Sequence, residues 1–233
     1  MASEDKFAIH AACRDGQTNL VEALLNANLK LSSRRDDDDR LPIHWAASYN
    51  RLPIVEMLTE RKDSDVDAQD GAGWTCLMIS SSLKDGDSLV DLLLSKSADP
   101  SMTTHQGQTA LHFAASKNNL DTAKKLIAHK ASARVKDKRG QLPLHRAAAV
   151  GNVPMVKLFL ESKSPVNATD VDGCTALHHA VAEGHGDAAL VLLKAGAETD
   201  KRDRSGALPL DLAPDAKVSG YIKRAAEEEG IEI

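Results

Sequence analysis

A pattern of apolar and polar positions recurs about every 33 residues along this chain. Its most regular part joins an apolar residue, a histidine and two alanines, as in Leu41-Pro42-Ile43-His44-Trp45-Ala46-Ala47. Taking the histidine as a marker, the copies are 33 or 34 residues apart, at His10, His44, Met78, His112, His145, His178 and Asp211. A fixed period of this length indicates stacked repeats. We expect one domain over residues 1–233, with repeats near 3–36, 37–70, 71–104, 105–137, 138–170, 171–203 and 204–233.

Each repeat predicts two short helices joined by a tight turn. In the sixth repeat, Thr175 can cap a helix that runs to about Glu183, and Gly184 ends it. A second helix follows, with its apolar residues at helical spacing, and Gly196 ends that one. Glycine also stands five residues before the marker in five repeats, where we expect a positive φ: Gly73, Gly107, Gly140, Gly173 and Gly206. The first two repeats have Asp5 and Asp39 at that position.

Two repeats depart from the pattern. The third has Met78 at the marker position and serines at 80–82, and we expect it to be the softest internal repeat. The seventh has Asp211 at the marker and Pro214 soon after, which predicts a truncated or bent first helix. Its last helix, about residues 216–229, is predicted to cap the stack with an apolar face made by Val218, Tyr221, Ile222 and Ala225.

The period and the histidine segment resemble those of ankyrin repeats. The resemblance implies an all-α ankyrin-repeat solenoid of seven helix-turn-helix repeats joined by β-turn/hairpin fingers. Such a solenoid offers a long concave face, which favours binding to another protein over catalysis.

Composition narrows the function further. A net charge of -5 and a pI near 6.0 do not suggest a general affinity for nucleic acid or for acidic membranes. The three cysteines, Cys13, Cys76 and Cys174, are too few and too far apart for a disulfide framework or a metal cluster. No apolar run approaches the ~18 residues of a membrane span. We expect a monomer in the cytoplasm and nucleus.

The nine histidines do not predict a metal or catalytic site. Five occupy the marker position, where an imidazole can tie its repeat to a neighbouring turn by hydrogen bonds. The other four lack the spacing and the partners of a metal site. The acidic run at 36–39 lacks the spaced ligands of a calcium loop. We expect no catalytic residues, no metal and no cofactor.

Charged and aromatic residues fall on the positions that stacked repeats expose on their inner face. In repeats one to three these candidate partner-binding residues are Glu4, Asp15, Asp37, Asp38, Arg40, Trp45, Tyr49, Asp70 and Trp74. Repeats four and five contribute His105, Lys117, Lys138, Arg139 and Arg146. The segregated charges suit a partner of opposite polarity, and exposed tryptophans favour a binding hot spot. The alternative is that Trp45 packs under a neighbouring turn and Trp74 shields a backbone bend.

Several segments resemble the gankyrin-type assembly chaperones of the proteasome regulatory particle: Asp70-Gly71-Ala72-Gly73-Trp74, Leu111-His112-Phe113-Ala114-Ala115-Ser116-Lys117-Asn118 and His145-Arg146-Ala147-Ala148-Ala149. The resemblance implies binding to the C-terminal domain of the third ATPase subunit of the base ring. It carries over to Asp38, Arg40, Trp45, Asp70, Trp74, Lys117 and Arg146. Gly71 stands where that family has a second acid. The family's L-x-C-x-E motif, which is linked to binding of the retinoblastoma protein, is absent, so that binding is not expected here.

Two other functions remain open at this point. One is an ankyrin adaptor or inhibitor of a kinase or transcription factor. The other, from a different class, is the targeting domain of an enzyme.

Overall fold

The computed structural model describes residues 7–231 and 233, and within them the regular structure is entirely helical. Two compact units are present, one ending at His105 and the other beginning at Gln106. The six α-helices of the first unit are α1 (Ala8–Asp15), α2 (Thr18–Ala27), α3 (Pro42–Ser48), α4 (Leu52–Thr59), α5 (Cys76–Ser81) and α6 (Asp87–Ser95), with a 3-10 helix at Leu29–Ser33. The helix pairs expected from the sequence are present.

The second unit repeats the same plan. Its α-helices are α7 (Ala110–Ser116), α8 (Leu120–Ala128), α9 (Pro143–Val150), α10 (Val153–Glu161), α11 (Ala176–Ala182), α12 (Gly186–Lys194) and α13 (Ala216–Glu228), with a 3-10 helix at Pro209–Leu212. The first helices of successive repeats pack side by side, α9 lying between α7 and α11. Alanines such as Ala147 and Ala180 are fully buried at these contacts, since small side chains let short helices approach closely.

The marker histidines hold the repeats together. Nδ1 of His44 accepts a hydrogen bond from the backbone N–H of Leu41 (3.0 Å), closing the start of α3. Its Nε2 then lies 3.0 Å from the carbonyl oxygen of Ala68 and donates to it. His112 and His145 make the same pair of bonds, with the carbonyls of Gln141 and Ala168 as acceptors. The predicted structural role of the marker histidines is confirmed for His44, His112 and His145.

Burial keeps these imidazoles neutral. It lowers the pKa of His112 and of His145 to about 4, because a charged ring would lose its hydration. A neutral ring has one acceptor nitrogen and one donor nitrogen, which is what the two hydrogen bonds require.

The turn glycines have the positive φ angles expected of them, between 73° and 88°, and Asp39 has a φ of 60°. Asp5 and Glu4 lie outside the described residues. Gly73 shows why a side chain is excluded, since a Cβ atom there would lie 2.7 Å from the backbone nitrogen of His105. Close approach of neighbouring turns therefore reinforces the requirement for glycine.

The seventh repeat differs from the others as the sequence predicts. Its first helix is reduced to the 3-10 helix, where Asp211 accepts the N–H of Leu208 (2.9 Å) in place of the histidine. In α13, Ile222 and Ala226 are buried, but Tyr221 remains 42% exposed. The ring of Tyr221 nevertheless packs against Gly186 of α12, so Tyr221 lies on the face of α13 that meets the stack, as predicted. No helix among the described residues has the length and apolar character needed to cross a membrane.

Candidate functional site

The turn that precedes the first helix of a repeat, here called a finger, is organised by an aspartate in five repeats. These residues are Asp36, Asp70, Asp137, Asp170 and Asp203. In each, Oδ1 accepts backbone N–H groups two and four residues later; for Asp70 the donors are Ala72 and Trp74, both at 2.9 Å. These bonds fix the turn and so determine the direction of the side chains at its tip.

Backbone hydrogen bonds link neighbouring fingers. In the first unit the N–H of Gly71 donates to the carbonyl of Asp38 (3.0 Å), and that of His105 to the carbonyl of Ala72 (3.0 Å). A Cβ atom on Gly71 would lie 2.7 Å from the Asp38 oxygen, so the close approach explains this glycine. In the second unit, the N–H of Lys138 donates to the carbonyl of Gln106 in the same way (2.9 Å).

In three of the five fingers the second oxygen of the aspartate accepts a hydrogen bond from a side chain nine residues later, a contact we call the finger staple. Trp45 Nε1 donates to Asp36 Oδ2 at 2.7 Å. Arg146 Nη2 donates to Asp137 Oδ2, also at 2.7 Å. In the sixth repeat, His179 Nε2 lies 3.0 Å from Asp170 Oδ2. The three donors all directly follow the marker histidine and bind α3, α9 and α11 to their fingers.

The staples keep their carboxylates ionised. Burial of Asp137 opposes ionisation, but the hydrogen bond from Arg146 and that from the backbone of Gln141 outweigh it, so the pKa of Asp137 is lowered. The same balance lowers the pKa of Asp36, where Trp45 supplies the side-chain hydrogen bond. Asp36, Asp137, Asp170 and His179 are not among the binding residues predicted from the sequence. Their signal is an aspartate followed nine residues later by a hydrogen-bond donor.

Arg40 is at the centre of the candidate residues in the first unit. Its guanidinium carbon lies 4.8 Å from the centroid of the Trp45 ring, and Nη2 donates to Ser48 Oγ at 2.6 Å. Nε is 3.7 Å from Asp70 Oδ2. Tyr49 stacks on Trp45, with 6.3 Å between the centroids of the two rings. The structure therefore brings together four of the predicted residues, Arg40, Trp45, Tyr49 and Asp70.

Two hollows flank the finger of the second repeat, residues 36–40, here called the second finger. Both are lined by the exposed side chains of Asp37 and Asp38. The first hollow, of about 800 Å³, is lined by Arg40 and Asp70, with Trp74, Ile79 and Leu83 as apolar wall. The second hollow, of about 250 Å³, lies against α1 and is lined by Phe7, His10 and Trp45 among others. An acidic rim over aromatic and aliphatic walls suits a basic, partly apolar surface.

Both tryptophans are half-buried, whereas the sequence analysis expects them to be exposed. Each nevertheless lines one of the two hollows. Asp15 is exposed and pairs with the neighbouring Arg14 at 2.8 Å. His105 is exposed at the tip of its finger.

The candidate residues of the second unit are basic. Lys117, Lys138 and Arg139 are exposed, and the last two are adjacent in one finger. Arg146 is held by its staple and by Ser116 Oγ at 3.2 Å. Among the residues that the structure describes, no group of three or more His, Cys, Asp or Glu side chains could hold a metal ion. Exposed basic side chains on turns that are fixed by hydrogen bonds are suited to binding an acidic protein surface.

Comparison with known proteins agrees with this architecture. The family model "Ankyrin repeats (3 copies)" matches residues 2–70, 54–137, 77–170 and 118–203. An ankyrin repeat-containing protein of Schizosaccharomyces pombe is 42% identical over 202 residues, which are 85% of this chain and 86% of that protein. The probable 26S proteasome regulatory subunit p28 of Saccharomyces cerevisiae is 37% identical over 135 residues. That match covers 56% of this chain and 59% of the yeast protein.

A solved structure shows the same fold. The ankyrin repeat domain of Bcl-3 superimposes with a TM-score of 0.75, covering 92% of this chain and 97% of that one at 24% sequence identity. The predicted all-α ankyrin-repeat fold is confirmed. Proteins with this fold generally act as non-enzymatic modules for protein interaction. The chain belongs to the ankyrin repeat family.

Proposed function

We propose that this protein is a non-enzymatic chaperone for assembly of the proteasome regulatory particle. It binds the C-terminal domain of an ATPase subunit of the base, the third of the ring. The acidic residues around Arg40 and the basic residues of the second unit each contact that domain. While bound, the protein prevents premature contact between the ATPase and the proteolytic core.

The observation that carries this proposal is the pair of hollows around the second finger. Asp37 and Asp38 are exposed there beside two half-buried tryptophans, and the finger beneath them is fixed by the bonds to Asp36. Such an arrangement binds a basic surface without a costly ordering of the chain, since the acids are already positioned. The similarity to the yeast regulatory subunit supports the proteasome as the setting.

We also propose that the protein acts as a monomer in the cytoplasm and nucleus, as one repeat domain. It then needs no cofactor and binds neither nucleic acid nor membrane. The net charge of -5 supports the absence of a general affinity for nucleic acid.

A charge reversal at the finger tip tests the proposed site. In the double variant Asp37→Lys/Asp38→Lys, affinity for the recombinant ATPase C-terminal domain should fall by about 100-fold, because attraction becomes repulsion. Both side chains are exposed, so the fold should be kept. Calorimetric titration measures the affinity, and circular dichroism the helical content.

The matched control is Glu22→Lys, an exposed acid on α2 of the same unit. It changes the net charge in the same direction and should alter the affinity by less than about threefold per charge. Affinity for the wild type should also fall as salt is added. Equal losses in the control and the double variant would place the binding site elsewhere. Recovery of a kinase or transcription factor from cell extract, in place of base ATPases, would overturn the assembly role.

A further inference from the structure

A third hollow lies between the 3-10 helix at Leu29–Ser33 and the loop that follows α4. It shares no lining residue with the first or the second hollow. Its volume is about 220 Å³, several times the roughly 30 Å³ that one water molecule occupies in the liquid. Leu41, Ile43 and Leu58 supply a buried apolar wall. The hollow therefore has room for a phosphate-sized group.

Two arginines supply the positive charge of the third hollow. Nη1 of Arg35 donates to the carbonyl oxygens of Asp39 and Gln69, the latter at 2.8 Å, which holds this guanidinium in place. Nε of Arg61 is buried without a hydrogen-bond partner, and the nearest carboxylate oxygen, on Asp63, is 3.4 Å away. A buried cationic N–H group without an acceptor is unfavourable. The hollow is therefore suited to an additional anionic acceptor.

Ser64 also lines the third hollow, and it is exposed in the loop after α4. Its N–H donates to the carbonyl oxygen of Arg61 at 3.1 Å, which closes a turn and keeps the serine near that arginine. A serine in an exposed loop can enter the active site of a protein kinase, because its backbone is not committed to a helix. Ser88 is exposed too, but it lies within α6.

The neighbours of Ser64 favour a kinase that recognises acidic segments. Asp65 directly follows the serine and is exposed, and Asp67 comes two residues later. Arg61 precedes the serine by three residues, but its side chain is only 20% exposed, so little of its charge is available to a kinase that recognises basic residues. The exposed acids suit a basic substrate groove.

We propose that Ser64 is a phosphorylation site for an acid-directed serine kinase, and that its phosphate occupies the third hollow against Arg61 and Arg35. The kinase transfers the terminal phosphoryl group of ATP. A bond forms between Oγ of Ser64 and phosphorus, the bond from that phosphorus to the bridging oxygen breaks, ADP leaves with the electron pair, and the hydroxyl proton passes to solvent.

The phosphate supplies what the third hollow lacks. It carries nearly two negative charges and three acceptor oxygens, which can bind the buried N–H of Arg61. Asp63 and Asp65 also line the hollow and oppose a further negative charge, but the side chain of Asp63 is 56% exposed and is free to move into water. Because Arg35 also bonds the second finger, the phosphate would join the loop after α4 to that finger.

A kinase assay on the full chain tests the site. With ATP and casein kinase II, an acid-directed serine kinase, mass spectrometry of the digested protein should locate phosphate on Ser64. Ser64→Ala should abolish that modification, and Ser88→Ala should not. Asp65→Asn should slow the reaction by about tenfold, because it removes an acid that the kinase binds, yet it keeps the side-chain oxygen that accepts the N–H of Asp67. No phosphate on Ser64, or an unchanged rate in Asp65→Asn, would overturn the assignment.

Phosphorus NMR tests whether the hollow holds the phosphate. Phosphoserine has a second pKa of about 6. In the phosphorylated chain this pKa should lie about one pH unit below that of a phosphorylated peptide of residues 61–67, because the guanidinium groups favour the dianion. The peptide carries the same neighbouring acids, so the difference measures the contribution of the folded hollow.

Arg61→Gln should remove most of that pKa difference, and Arg35→Gln should reduce it independently. The matched control is Lys62→Gln, which removes one positive charge from an exposed neighbour outside the hollow and should leave the difference intact. Circular dichroism verifies that each variant is folded. A phosphate pKa equal to that of the peptide in the wild-type chain, or the same change in Arg61→Gln and Lys62→Gln, would overturn the proposal.

Discussion

At the scale of single residues, Ser80 is the clearest local conflict in the chain. It stands where other repeats have alanine, two positions after the marker, and its hydroxyl group is buried without a hydrogen-bond partner. The neighbouring Ser81 is equally buried, but its Oγ donates to the carbonyl of Leu77 at 2.7 Å. Burial of an unpaired hydroxyl lowers stability, whereas a paired one is tolerated.

We predict that Ser80→Ala stabilises the first unit by about 1 kcal/mol, since it removes an unpaired polar group without creating a large cavity. Urea unfolding followed by tryptophan fluorescence measures this, because both tryptophans lie in that unit. Ser81→Ala is the control. It gains the same helix propensity but loses a hydrogen bond, so its stability should not rise. Equal stabilisation by both variants would contradict the explanation from the unpaired hydroxyl.

At the scale of the structural element, the finger staples join three of the turns to the helices that follow them. Asp137 is the best-defined case, because its side chain is only 2% exposed and bonds both the backbone of the finger and Arg146 of α9. The staple changes how mutational data on Arg146 should be interpreted. Loss of binding after its substitution can come from a displaced finger as well as from a lost contact with the partner.

We expect Arg146→Leu to lower the free energy of unfolding of the second unit by about 2 kcal/mol, because it leaves the buried Asp137 carboxylate without its charged partner. Circular dichroism during urea unfolding provides the measurement. Arg139→Leu, at an exposed position of the same finger, should change stability by less than about 0.5 kcal/mol. Similar destabilisation by the two variants would show that the staple contributes nothing beyond the general loss of positive charge.

The elements themselves follow from the sequence to a large extent. Local spacing and backbone preference determine the helix pairs and the positive φ of the turn glycines, and the structure has both. They also predict that the first helix near Asp211 is shortened, as the structure shows. The staples depend on which side chains meet across a turn, which local propensity does not specify. The softness expected of the third repeat stays a prediction; hydrogen exchange across residues 71–100 measures it.

At the scale of the whole molecule, the marker histidines couple stability to pH in both units. Burial lowers the pKa of every one of them, at His10, His44, His112, His145 and His178. The unfolded chain titrates near the ordinary value of about 6.5. Between that value and the lower folded pKa the unfolded chain binds more protons, so stability falls as the pH is lowered.

We therefore predict that stability is highest above about pH 6.5 and decreases toward pH 4, by as much as about 1.4 kcal/mol per pH unit for each strongly shifted histidine. The finger aspartates affect stability only in more acidic solution. Their pKa values are lowered in the folded protein, so the stability they contribute is lost when the carboxylates become protonated. Urea unfolding at a series of pH values measures the slope. His112→Gln should make it shallower, and His129→Gln, at an exposed residue, should not. An unchanged slope in His112→Gln would contradict this source of acid sensitivity.

The sequence alone determined the repeat, its helix pairs and the structural role of the histidines, since these features recur at a fixed period and depend on neighbours in the chain. It also identified Asp38, Arg40, Trp45, Asp70 and Trp74 as candidates. Only the tertiary structure decided that Trp45 and Arg146 are braced by aspartates nine residues away, and that Phe7, His10 and Trp45 meet in one hollow. The physical reason is that such contacts depend on the approach of fingers and helices, and that each is made by residues which differ between repeats.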